Sequence, residues 1–248
     1  MGILPTAPHK PKSRMSDYVW LVYGPPGIGK TYFAHGWPKP LFLATEPGTA
    51  ALEAADVAVN SWSDFTNVLD ALVKEKHGYM TLVVDTVDTL YNHCSSHVCE
   101  ATGWLDPQAG QYGAGWRAQG REWTAAISKL RSLSMTILFV SHERRDPIRE
   151  LRGKKEIDTG RYYVTSALPN SARATLHGAV DFILRMSLEA DGQRWLRTQP
   201  AETEREKVEA KARGSLDRML PATVLATFQE LGRAFGAAFK PAPEPGKE

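Results

Sequence analysis

Short runs dominated by apolar residues recur along the chain at 18–23, 40–46, 81–85, 135–140 and 182–187, with weaker versions at 56–60, 162–165 and 194–197. Runs of this length, without strict alternation, read as strands buried on both faces. Between them lie segments of helical period. Phe65, Val68, Leu69, Leu72 and Val73 mark a helix over 64–74, and Trp116, Trp123, Ile127 and Leu130 mark one over 116–133. Further helices are expected over 31–35, 86–101, 170–177 and 219–239, and the Glu/Lys-rich stretch 202–209 reads as a solvated helix. Residues 103–115 hold four glycines and one proline and read as a loop; 143–161, charged and poor in apolar residues, reads as a second one. Strands alternating with helices predict an α/β fold, with a mostly parallel central sheet flanked by helices. Residues 1–16, with three prolines and basic residues, read as a flexible arm, 17–240 as a single domain, and the Pro-rich 241–248 as a disordered tail.

The first strand runs straight into Gly24, Pro25, Pro26, Gly27, Ile28, Gly29, Lys30 and Thr31, which satisfies the P-loop pattern G-x-x-x-x-G-K-[ST] in its required strand–turn–helix setting. Glycines let successive backbone N–H groups curl around phosphate oxygens where a side chain would block approach. Lys30 is then the residue that reaches the β- and γ-phosphates, Thr31 the hydroxyl ligand of Mg²⁺, and Tyr32 the next residue along the nucleotide. ATP and Mg²⁺ are the expected cofactors.

Three polar side chains end the other apolar strands. Asp85 closes 81–85 and stands where a Walker B acid orders Mg²⁺; Asp88, a turn later, is the weaker candidate. Glu46 ends 40–46, and in a parallel sheet ligands gather at the carboxyl ends of strands, so Glu46 is the candidate base for an attacking water. His142 follows 136–140, where a polar side chain can sense the γ-phosphate and pass the difference to the next loop.

Composition adds exclusions. The chain has 248 residues, is 42% hydrophobic and carries a formal charge of +2, so any basic surface is local. Two cysteines, Cys94 and Cys99, argue against a disulfide framework. With His93 and His97 they match no standard zinc spacing, and a half-buried helix is the expectation. No apolar run is long enough to span a bilayer, so no membrane role and a cytoplasmic location are expected.

The ordered set GPPGIGKT, LFLATE, TLVVDTVD, GQYGAGW and TILFVSH resembles the phage and prophage AAA-type ATP-binding proteins with a minimal RecA core. Some of these are single-strand-annealing recombination proteins, distant relatives of RecA and RadA. The resemblance runs from about Val19 to Leu220. It implies a RecA-like P-loop NTPase that hydrolyses ATP to ADP, with Glu46 as catalytic base and His142 in place of the glutamine that links ATP to a DNA-binding loop. Lys211 and Arg213, in AKARG, resemble the Lys-x-Arg element that a neighbouring subunit inserts into the ATP site, which implies a homo-oligomer, ring or filament. The loop after His142 is where such a core meets single-stranded DNA. Arg144, Arg145, Arg149, Arg152, Lys154, Lys155 and Arg161 are its candidate phosphate contacts, set against five acidic residues, with Tyr162, Tyr163, Tyr112 and Trp116 as candidate stacking residues. A single-stranded-DNA-binding protein is a further expected partner, and a phage- or prophage-encoded protein of a bacterial host the expected source. A motor or loader ATPase acting through protein contacts, and a small-molecule P-loop kinase, stand as alternatives.

Overall fold

Buried strand segments with helices on both sides make up the computed structural model of the chain, which describes residues 7, 12–109, 111–153, 155–214 and 216–239. The first half runs β1 (Val19–Gly24), α1 (Lys30–His35), β2 (Pro40–Ala44), β3 (Ala55–Ala58), α2 (Trp62–Lys74), β4 (Thr81–Asp85), α3 (Val87–Thr102) and α4 (Ala114–Ser132). There follow β5 (Thr136–Arg152), β6 (Lys155–Ser166), α5 (Asn170–Ala179), β7 (Phe182–Leu188) and β8 (Arg194–Arg197). The last elements are β9 (Ala201–Glu202), β10 (Glu206–Val208), α6 (Leu216–Met219), β11 (Thr223–Leu225) and α7 (Phe228–Ala238). Most of the expected arm at 1–16, all of the tail at 241–248, and Lys154 lie outside the described residues.

The central sheet has the order β11-β8-β7-β1-β5-β4-β2-β3. From β7 to β3 every neighbouring pair is parallel, while β8 and β11 add antiparallel strands on one side. This is the α/β fold with a mostly parallel sheet that the strand–helix alternation predicts, and it is consistent with the RecA-like P-loop core that the resemblance implies. Period two sorts the apolar runs between two cores. Leu21, Tyr23, Leu82, Val84, Ile137 and Phe139 face one side with residues of α2 to α5, and Trp20, Val22, Val83, Leu138 and Val140 face the other with residues of α1 and α7.

Three expectations fail, each for a physical reason. Residues 143–161 are not a loop. β5 continues past His142 and pairs antiparallel with β6 from Glu143↔Ser166 to Arg152↔Lys155. Both faces of this hairpin are largely solvated, so it shows no apolar alternation; instead Arg149 pairs with Glu156 across the strands at 3.3 Å, and Arg145 reaches Glu206 at 2.7 Å. Gly153 turns the chain at φ 68°, a left-handed conformation that glycine adopts without penalty. Residues 202–209 are the short strands β9 and β10, not a helix; β10 lies beside β6 and carries Glu206 into the same ion pairs. The expected helix 219–239 is split. Pro221 removes a donor after α6, β11 joins the sheet, and Thr227 caps α7 by accepting the N–H of Glu230 at 3.2 Å.

The 103–115 loop holds two single-turn helices, and α4 begins at Ala114, two residues before the expected start. A Cβ on Gly115 would stand 2.3 Å from the Pro107 carbonyl oxygen, so only glycine lets the loop close on the helix.

Trp20 anchors the second core. It stacks on Phe182 with centroids 3.9 Å apart and 10° between planes, with Trp37 and Phe235 edge-on. Trp20→Ala is expected to cost about 3–5 kcal/mol, and Trp20→Phe clearly less, in chemical denaturation followed by fluorescence.

Candidate functional site

Parallel pairing carries the ends of β1, β2, β4 and β5 to one edge, where Gly24 sits beside His142, Ala44 beside Asp85, and Asp85 beside Val140. The P-loop leaves β1 at this edge with Gly27 at φ 72° and Gly29 at φ 99°. Lys30 is 6% exposed and donates to the carbonyls of Gly24 and Pro25, both at 2.9 Å. Burial lowers its pKa, against the pull of Asp85, Asp88 and Glu46. A buried ammonium resting only on loop carbonyls fits an anionic phosphate chain beside it.

Thr31 donates its hydroxyl hydrogen to Asp85 Oδ2 at 2.6 Å. Burial raises the pKa of Asp85, opposed by the Thr31 bond and by Lys30. Gly48 borders the pair. A Cβ there would lie 3.0 Å from Thr31 Oγ1 and 3.6 Å from Asp85 Oδ2, so the missing side chain keeps the space beside both oxygens open. Few protein oxygens and room for water suit Mg²⁺.

Glu46 stands just past β2. Its Oε1 accepts hydrogen bonds from Thr86 at 2.9 Å and Thr89 at 2.7 Å, while Oε2 faces His142 Nε2 at 3.8 Å. His142 is held from the other side, since Nδ1 lies 2.7 Å from Asp88 Oδ2 and its backbone N–H donates to Asp88 Oδ1 at 3.3 Å. The hydrogen bond to Asp88 raises the pKa of the imidazole. Asp88 is in the first turn of α3, as expected of the weaker acid, but its carboxylate addresses His142. A cavity of about 350 Å³ joins these groups, bordered by Gly27, Gly29, Thr31, Glu46, Asp85 and His142, with Tyr32 on its rim.

Thr86, Thr89 and Arg194 were not singled out by sequence reasoning. The threonines carry a faint signal, one helical turn apart after Asp85. Arg194 carries none; it arrives from β8, donates from Nε to the Ile28 carbonyl at 2.6 Å, and would lie 3.2 Å from a Cβ on Gly29.

Lys211 and Arg213 are not brought to this edge. Lys211 bridges to Ile183 and donates to the carbonyls of His177 and Val180 at 2.6 and 2.7 Å. Arg213 pairs with Asp181, whose carboxylate also accepts the N–H of Val19, the first residue of β1. Arg144, Arg145, Arg149, Arg152, Lys155 and Arg161 lie on the β5–β6 hairpin. Arg144 pairs with Asp146, Arg145 with Glu143 and Glu206, Arg149 with Glu156, and Arg161 with Glu202. Tyr162 is half-exposed on the hairpin, and Tyr112 is 94% exposed on the loop before α4, with Trp116 in the first turn of that helix. His93, Cys94, His97 and Cys99 lie on α3, with Cys94 buried against Gln119 of α4. Among the described residues no group of three or more His, Cys, Asp or Glu is placed to hold a metal ion, and no helix is long and apolar enough to cross a membrane.

Two substitutions test this geometry. Gly48→Ala is expected to leave the melting temperature within a degree or two while weakening Mg²⁺-dependent nucleotide binding by about tenfold, the equivalent of ~1.4 kcal/mol. Asp85→Asn removes a buried charge, so the nucleotide-free protein is expected to melt no lower than the wild type, with the stabilisation by ATP·Mg²⁺ lost; differential scanning fluorimetry reads both.

Comparison with known proteins bears on the same residues. The sequence model of a family described as an AAA domain matches residues 16–213, which include the P-loop, Glu46, Asp85 and His142. The SPbeta prophage-derived uncharacterized protein YorG of Bacillus subtilis (strain 168) is 32% identical over 131 residues, covering 50% of this chain and 41% of that protein. The chain thus spans about two fifths of that relative's length. With most of its length matched by the family model, and a P-loop and strand-end acid within the match, the chain belongs to the AAA domain family.

Proposed function

We propose that the chain hydrolyses ATP, and that the state of the nucleotide is passed through His142 to the β5–β6 hairpin, which engages single-stranded DNA. One observation carries this reading. His142 faces Glu46 in the pocket and is also the last residue of β5 to pair with β1 before the strand leaves the sheet as the hairpin.

Bound ATP·Mg²⁺ would supply an electrophilic phosphoryl group with its charge partly neutralised. Lys30 would hold the phosphates, and Thr31 with Asp85 the cation and its waters. With Oε1 of Glu46 occupied by two threonine hydroxyls, Oε2 is the oxygen left to take a proton from the attacking water. His142, with Nε2 beside that oxygen, would register whether a γ-phosphate is present.

The DNA part of the proposal draws on the hairpin and on the loop before α4. The hairpin's half-exposed Tyr162 and the loop's exposed Tyr112 offer stacking surface near cationic side chains. Four of the hairpin arginines already have carboxylate partners, so phosphate would have to exchange with them. This favours, as the second reading, a motor or loader whose hairpin meets an oppositely charged protein surface. Insertion of Lys211 and Arg213 into a neighbouring subunit's site would require both to leave the partners described above, so the proposal does not lean on that insertion. A phage or prophage role in strand annealing or recombination belongs to the same proposal.

Glu46→Gln is expected to retain ATP binding and to lose turnover by about a hundredfold or more, since the amide accepts no proton. Fluorescence anisotropy of a labelled, unstructured oligonucleotide then tests the target. Glu46→Gln with ATP·Mg²⁺ should bind more tightly than the same protein with ADP, with steep weakening in salt. Equal absence of binding in both states would transfer the hairpin's role to a protein partner.

A further inference from the structure

We propose that Asp88 is a positioning residue for the phosphate site, which fixes the His142 ring so that Nε2 faces Glu46 and ties that orientation to the backbone at the root of the hairpin. The inference rests on the hydrolytic reading above and extends it to a residue outside the P-loop and the strand-end acids.

The geometry is a two-point clamp. Asp88 Oδ2 takes Nδ1 of the ring at 2.7 Å, and Oδ1 takes the N–H of the same residue at 3.3 Å. An imidazole held only by packing has two orientations half a turn apart, which exchange Nδ1 with Cδ2 and Nε2 with Cε1. A carboxylate bonded to both the ring and the main chain of one residue removes that freedom. It also decides the tautomer, because an ionised carboxylate only accepts, so the proton sits on Nδ1 and Nε2 is left toward the pocket.

Four charged groups surround the ring. Asp88 faces it from α3, Glu46 from the segment after β2, Lys30 from the start of α1, and Asp85 from the end of β4. Glu143, next in β5, is turned away into a bidentate pair with Arg185 at 2.8 and 3.4 Å. Of these, Asp88 alone is in hydrogen-bonding contact with the ring; Glu46 lies at 3.8 Å. The residue before α3 and its first turn supply Thr86 and Thr89 to Glu46, so a single stretch of four residues aligns both the candidate base and the candidate sensor. Asp88 also grips the backbone of the residue that pairs with Gly24, so a displacement of the ring by phosphate pulls on the origin of the hairpin.

The test reads the ring directly. Nitrogen-15 NMR of the histidine side chains, assigned with His142→Gln, is expected to show a protonated Nδ1 on His142 in the wild type. In Asp88→Asn the amide can donate, so Nδ1 should become the unprotonated acceptor. ATP and ADP affinities should change less than threefold, while turnover falls by about 10–100-fold, the cost known where a metal-bound histidine loses the partner that orients it. An unprotonated Nδ1 in the wild type, measured without any variant, overturns the proposal. So does a ring signal that Asp88→Asn leaves unchanged. A wild type that hydrolyses no ATP while the ring responds as expected would uphold the clamp and remove only the hydrolytic reading on which its role is built.

Discussion

The register of β5 between β1 and β4 is the constraint on which the site depends. Its parallel pairing sets His142 beside Gly24 and Val140 beside Asp85, and β4 in turn sets Asp85 beside Ala44. A shift of one residue in any of these pairs would send alternate side chains to the opposite face and separate Thr31 from Asp85. Residues 20–23 of β1, 82–84 of β4 and 137–140 of β5, all apolar and buried, hold the register because each face has its own core. The chemistry at the edge is therefore set by packing well below it.

The same strand has a second role. Beyond His142 it leaves the central sheet, and the root of the hairpin is fastened by polar groups. Glu143 and Arg185, with side chains 5% and 13% exposed, form a closed set of ion pairs with Arg145 and Glu206. On the other strand, Ser166 Oγ lies 2.9 Å from His177 Nε2, and His177 Nδ1 lies 2.9 Å from Glu209 Oε1. That trio has the spacing of a nucleophilic triad, but Ser166 is fully buried, so it joins β6 to α5 and to the residue after β10 and offers no nucleophile to a substrate. Tyr23, one residue before the P-loop, donates to carbonyls of Val164 and Glu209 and joins the two regions. The root is anchored, while residues 149–151, 153 and 155–157 stand exposed.

Wherever burial controlled the outcome, the elements were legible in the sequence. The apolar runs of β1, β4, β5 and β7 and the helical period of α2 and α4 all appear in the fold, because one-sided or two-sided burial leaves a periodic trace. The P-loop was legible from its glycines, and Asp85 and Glu46 from their places at strand ends. The hairpin was not, since strands solvated on both faces leave no such trace and are held by charge pairs whose partners lie up to 61 positions apart, as with Arg145 and Glu206. The split of the last helix could have been read from Pro221 and the cap at Thr227. Asp88 looked like a second-rank metal ligand because its partner, His142, is 54 residues away, and no one-dimensional pattern links them.

On the proposed function, the state of the nucleotide at the sheet edge reaches the hairpin through His142. Hydrogen–deuterium exchange across residues 142–166 tests it most directly, with the protein free, bound to ADP·Mg²⁺, and bound to a non-hydrolysable ATP analogue with Mg²⁺. The analogue is expected to change exchange in the hairpin relative to ADP, and His142→Ala to abolish the difference while the P-loop remains protected by both nucleotides. Hairpin exchange that is the same with ADP and with the analogue, alongside clear protection of the P-loop, would contradict it.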